Sequence, residues 1–253
     1  MLAKVQSFVV SGLQAYPVSA EVDVSHGLPS ITIVGLPDNA VKESKERVRS
    51  AIKNSGYKFP AERITVNLSP ADLKKGGAFC DLAIALGILA ATGQIDSSLL
   101  EKYVILGELS LDGSLQPVKG SITVAMALKK KTEKFLGIVL PLANAREAAM
   151  VDEIGIYPVK NLNQAVQFLK DPAFLKPYIL DKGSIRAEIN HYEIDFSEVK
   201  GQAQIKRGLE VASAGGHNVL LVGTQYNRWS LRWWLYYLRR VGKSLIFCLT
   251  VYH

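Results

Sequence analysis

Between Phe79 and Thr92 the chain carries Leu82, Ala83, Ile84, Ala85, Leu86, Ile88 and Leu89, so a helix there is apolar nearly all round. Such a helix is buried, not laid amphipathically on a surface. The run is too short for the ~20 apolar residues of a membrane span. The longest apolar run after it, Leu245 to Val251, is seven residues with Thr250 inside it. The N-terminal stretch is cut by Gln6, Ser7, Ser11 and Gln14, which leaves no signal-peptide core. A cytoplasmic protein without a membrane partner is expected.

The flanking patterns say what encloses that helix. Lys4–Val10, Ala15–Val24, Ser30–Gly35 and Arg63–Leu68 read as strands. Val18, Ala20, Val22 and Val24 alternate with Ser19, Glu21 and Asp23, the period of a half-buried strand. Asp38 is a helix cap for a segment reaching Asn54, with Val41, Ser44, Val48, Ala51 and Ile52 on one face and Gly56 ending it. Tyr103–Leu109 and Gly113–Val118 predict a hairpin turning at Asp112-Gly113. Next come a helix over 119–130, a strand at Gly137–Leu140, a short helix over 144–151, a strand at Gly155–Val159 and a helix at Leu162–Lys170. The alternation is that of an α/β fold. Residues 171–193, with Pro172, Pro177 and Gly183, read as a linker. A helix over 202–214 and an apolar strand, Asn218–Val222, follow.

Charge and chemistry-bearing residues are less informative. Of the net charge of +7, residues 225–253 carry +5 through Arg228, Arg232, Arg239, Arg240 and Lys243, leaving +2 for residues 1–224. A basic-patch argument for the main body therefore fails. Cys80 and Cys248 make neither a disulfide framework nor a zinc site, and Cys80 reads as an inert core thiol. His26, His191, His217 and His253 lack metal-ligand spacing, so no metal site is expected. The lysines at 129–131 and Lys134 read as a solvated helix end.

Several long motifs occur in order: VSGLQAYPVSAEVDVSHGLPSITIVGLPDNAVKESKERVRSAI, KKGGAFCDLAIALGILAATGQI, ILGELSLDGSLQPVKGSITVAMA and FSEVKGQAQIKRGLEVASAGGHNVLLVGT. Together they resemble the ComM/YifB family of magnesium-chelatase-like AAA+ ATPases. The resemblance implies a two-layer, Lon-protease-like (ribosomal protein S5 domain 2-like) α/β domain over 1–170, a linker over 171–193, and the beginning of a P-loop AAA+ domain over 194–224. It also implies hexameric full-length members that use ATP and Mg²⁺, bind DNA, and drive branch migration in natural transformation.

Lon-type proteolysis needs a Ser-Lys dyad. The nucleophile's place falls at Gly77 and the lysine's at Ile122, with Ser114, Ser121, Lys119 and Lys74 only nearby, so no catalytic residue is assigned. Val199, Gly201, Gln202, Gly223 and Thr224 match the family's nucleotide site and are the candidate cofactor-binding residues, as an incomplete remnant. A P-loop continues through Gly-Lys-Ser/Thr, whose backbone and lysine hold the phosphates. This chain reads Gln225-Tyr226-Asn227-Arg228-Trp229 instead. The later Gly242-Lys243-Ser244 is a decoy, since Tyr237 stands where the first glycine belongs. Glu210 is the last acidic residue, so no Walker-B carboxylate follows.

All three tryptophans lie within residues 229–234. The basic, aromatic stretch 225–253 is therefore expected to be aberrant, from a shifted reading frame or a misplaced gene end. A genuine divergent tail, able to sit on a membrane surface or nucleic acid, is the other reading. The expectation is a truncated relative that binds no cofactor itself and is inactive as a motor. The alternative is a stand-alone Lon-like module that binds DNA or oligomerises.

Overall fold

The computed structural model describes residues 2–12, 14–71, 73, 79–130, 135–181, 201–215, 217 and 219. The chain divides into two units, Met1–Leu180 and Asp181–His253.

The first unit is built on a seven-stranded sheet. Its strands are β1 (Leu2–Ser11), β2 (Gln14–Ser25), β3 (Ser30–Val34), β4 (Arg63–Ser69), β5 (Tyr103–Ile105), β8 (Gly137–Pro141) and β9 (Gly155–Val159), in the order β3-β4-β2-β1-β5-β8-β9. A separate two-residue ladder joins β6 (Glu108–Leu109) to β7 (Leu115–Gln116). The helices are α1 (Asn39–Asn54), α2 (Asp81–Ala91), α3 (Ser121–Lys129), α4 (Ala145–Ala148) and α5 (Leu162–Lys170). The β1–β2 and β2–β4 pairs are antiparallel and the other four pairs of the main sheet are parallel, which makes this a mixed α/β fold.

Strand alternation decides where each core lies. Ala3, Val5 and Val9 of β1 join a core with Val41, Val48 and Ile52 of α1, all of α2's apolar side, and Ala165 and Phe168 of α5. Phe8, between them in the alternation, joins a second core with Val124 and Leu128 of α3 and Ala145 and Ala148 of α4. Val139 and Ile138 of β8 divide in the same way. Helices therefore flank both sheet faces around β1, β5, β8 and β9. α3 also reaches over the Ala15 end of β2. Beyond it, toward β4, the outer face is polar: Lys4 Nζ lies 3.8 Å from Glu21, and the Asn67 amide donates to Glu21 at 3.0 Å. That half is two-layered.

All eleven residues of α2 are buried, as the unbroken apolar pattern requires. Gly87 lets this helix approach the sheet: a Cβ there would lie 2.6 Å from Cγ2 of Val22. Asp38 caps α1 by accepting from the Val41 N–H at 2.9 Å.

The expected hairpin over 103–118 forms only in part. Tyr103–Ile105 leaves it to run parallel between β1 and β8, and only Glu108–Leu109 pairs with Leu115–Gln116. The break is at Leu106-Gly107. There the Leu106 N–H donates to Val139 O, while Gly107 exchanges two bonds with the chain leading into α2, its N–H to Phe79 O and its O from the Leu82 N–H. Satisfying the start of a buried helix takes those backbone groups out of a continuous ladder.

Residues 171–180 stay with the first unit, where Pro172–Phe174 form a short helical turn and the Tyr178 N–H donates to Ile156 O at 2.7 Å. In the second unit the described element is α6 (Ala203–Gly215). Among the described residues no helix is long and apolar enough to cross a membrane.

Candidate functional site

Of the five candidate nucleotide-site residues, the structure describes two. Gly201 and Gln202 precede α6 with φ of +70° and +54°. The Gln202 carbonyl accepts from the Lys206 N–H at 3.1 Å, so this turn leads directly into the helix. Val199, Gly223 and Thr224 lie outside the described residues, as does the basic stretch 225–253. The donor set does not fit a triphosphate with Mg²⁺. Gly201 and Gln202 offer backbone and a carboxamide, and the residues after Gly223-Thr224 supply neither the phosphate-binding lysine nor its hydroxyl neighbour.

Of the two Lon-dyad positions, the structure describes one. Gly77 and Lys74 fall outside the described residues. At the other position the Ile122 backbone N–H donates to Glu147 Oε1 at 3.4 Å. Ser121 Oγ donates to Glu147 Oε2 at 2.6 Å and is fully buried. Asn144 completes the cluster, donating to Val118 O at 2.7 Å and accepting from the Val118 N–H at 2.9 Å. Gly120, the residue before α3, has φ of +78° and offers no capping side chain. The Glu147 carboxylate, reaching from α4, takes the place of that cap on orphan N-terminal groups. This cluster holds α3 against α4. A nucleophile needs open access, which a fully buried Ser121 lacks. Glu147→Ala should lower stability by about 1–2 kcal/mol, with Glu147→Gln costing less because an acceptor remains. Urea titration of the two variants checks this order.

Ser114 caps its own turn, its Oγ donating to Asp112 Oδ1 at 2.7 Å. Lys119 is exposed. Cys80 is buried, with Ser7 Oγ 3.9 Å from its sulfur, in keeping with a core thiol. Lys129 pairs with Glu153 at 3.2 Å, as a solvated helix end would. His26 is fully exposed and 3.7 Å from Glu62. Among the described residues no cluster of three or more His, Cys, Asp or Glu could hold a metal ion.

Sequence reasoning missed one constellation. Asp81, the first residue of α2, is 1% exposed and sits in a fork from Arg47 of α1. Arg47 Nε donates to Oδ2 at 2.7 Å and its NH2 group to Oδ1 at 3.3 Å, while the Leu109 N–H donates to Oδ2 at 3.3 Å. Burial lifts the Asp81 carboxyl from 3.8 to about 6, against the pull of Arg47 and the Leu109 N–H. The hydrogen bond to Asp81 in turn holds Arg47 protonated. The carboxylate thus stays ionised at neutral pH, and the pair ties α1, α2 and β6 together. The available signal was a single acid at the head of an otherwise apolar run, which demands a buried cation.

The comparisons with known proteins agree with these features. A family model described as subunit ChlI of Mg-chelatase matches residues 20–144. A second, magnesium chelatase, subunit ChlI, matches residues 195–226. The chain is 43% identical over 223 residues to YifB of Salmonella typhimurium, 42% over 223 residues to YifB of Escherichia coli, and 41% over 224 residues to competence protein ComM of Haemophilus influenzae. Each match takes in 88% of this chain and 42% to 43% of the relative, so the chain spans about two fifths of their length. With several long motifs and both family models falling in the same order, the chain belongs to the ComM/YifB family of magnesium-chelatase-like proteins.

Proposed function

We propose that this chain supplies the assembly and DNA-facing module of a cytoplasmic, ATP-driven DNA remodeller of the competence type. The carrying observation is the 41% identity to competence protein ComM over 88% of the chain. In this reading the parent machine is a hexamer that uses ATP and Mg²⁺ for branch migration. The first unit serves as its scaffold: it has its own two cores, and its buried polar groups are spent on holding helices together. The chain itself does not turn over ATP, because Gln225-Tyr226-Asn227-Arg228 stands where a P-loop would continue.

The test combines turnover and binding. ATP hydrolysis by the purified chain should match the blank, with and without DNA. Binding to forked DNA should weaken with salt, each phosphate contact contributing about 0.9 to the logarithmic slope. That slope should persist when residues 225–253 are removed. Turnover above the blank sinks the inactive-motor reading. Loss of the slope, by up to about 4.5 for five cations, assigns the DNA affinity to the tail and sinks the module reading.

A further inference from the structure

The two edges of the main sheet are unlike. At β9, Pro158 interrupts the donor row and the Tyr178 N–H covers Ile156 O at 2.7 Å. At the other edge, β3 pairs with β4 alone among the described residues. Its five residues, Ser30–Val34, contain no charge and no proline, the usual devices that keep an edge from pairing. Pro29 and Pro37 bracket it, so a partner strand can match only this short length.

We propose that β3 is a self-pairing edge, through which two copies of this chain join antiparallel about Thr32. In that register Thr32 faces Thr32 of the second copy and Ile31 faces Ile33, both favourable cross-strand pairs of β-branched residues. Leu28 and Leu36 flank this pairing length, one before Pro29 and the other after Gly35, where the backbone turns to positive φ. These are among the most exposed apolar side chains in the unit, at 87% and 58%. Val34, 41% exposed, meets Ser30. Charge selects the direction. Arg63 lies beside Ser30 at one end of the edge, and Asp38 follows Pro37 at the other. Antiparallel pairing brings the Arg63 end of one copy to the Asp38 end of the next, whereas parallel pairing sets arginine against arginine. Five residues a side is a small interface, so the association is weak and concentration-dependent.

Sedimentation of the full chain over a wide concentration series tests this, without DNA or ATP, so its outcome is independent of the proposed remodelling role. The mass should rise from monomer to dimer. Thr32→Lys places like charges face to face on an exposed position and should weaken the dimer roughly a hundredfold, with the circular dichroism spectrum unchanged. Thr32→Cys in a Cys248→Ala background should give a disulfide-linked dimer on mild oxidation, while Cys248→Ala alone does not. A chain monomeric at every concentration with no cross-link at position 32 overturns the proposal. So does an assembly whose mass Thr32→Lys leaves unchanged, or capture of an extended peptide at β3 in preference to a second copy.

Discussion

Arg47→Ala should cost about 3–5 kcal/mol of folding stability near pH 7.5, because it strands the Asp81 carboxylate in the core without its fork. Few single changes on a helix surface do as much, since exposed ion pairs rarely exceed about 1 kcal/mol. Here the acid is 1% exposed and the arginine 22%, so solvent cannot take over. The pH dependence separates this cause from lost packing. A folded-state carboxyl lifted from 3.8 to about 6 binds more protons than the unfolded chain between those values. Its contribution to stability therefore falls as pH rises through that window and levels off above it. Without Arg47 the folded value rises further, and the decline runs to higher pH. The penalty of Arg47→Ala should be largest above neutrality and shrink towards pH ~5. A penalty constant across a urea series at several pH values would mean that the side chain acts only through its aliphatic stem.

Gly35→Ala should be as damaging by another route, about 3 kcal/mol or more. Gly35 ends β3 with φ of +95°, and a Cβ there would run into the Leu68 carbonyl of β4. The obstacle is backbone in a paired strand, so nothing flexible can yield. Gly56, just after α1, is the control: its φ is +85°, yet a Cβ there meets nothing within 4 Å. Gly56→Ala should cost only the conformational strain, about 1 kcal/mol. Equal urea midpoints for the two variants would show that the approach to Leu68 is not limiting.

Legibility in the sequence followed the range of the interactions involved. The α2 core helix, the Asp38 cap and the alternation of β2 were readable because each is written within a few consecutive residues. Leu162–Lys170 was readable for the same reason, with Asn161 capping it through the Gln164 N–H at 2.9 Å. The parting of Tyr103–Ile105 from Glu108–Leu109 was not, because Phe79 O and Val139 O decide it from 28 and 33 residues away in sequence. Nor was the fork on Asp81, 34 residues from Arg47, although a lone acid in an apolar run announced that some cation was needed. Local periodicity sets which face of a strand is apolar, but not that Phe8 and Val9 serve different cores. At the nucleotide-site remnant the structure bears only on Gly201 and Gln202, which turn the chain into α6.

The position of β1 has a consequence for synthesis. It precedes the other described strands in sequence and it lies inside the sheet, between β2 and β5. The β1–β2 hairpin can form once Ser25 has left the ribosome, and later strands add outward on either side of it. Its core-facing valines stay bare until α2 arrives, ending at Ala91. At roughly 5–20 residues per second, that leaves a sticky nascent sheet for several seconds. Slowing translation between codons 25 and 91 should therefore increase chaperone capture and aggregation more than an equal pause placed after α2.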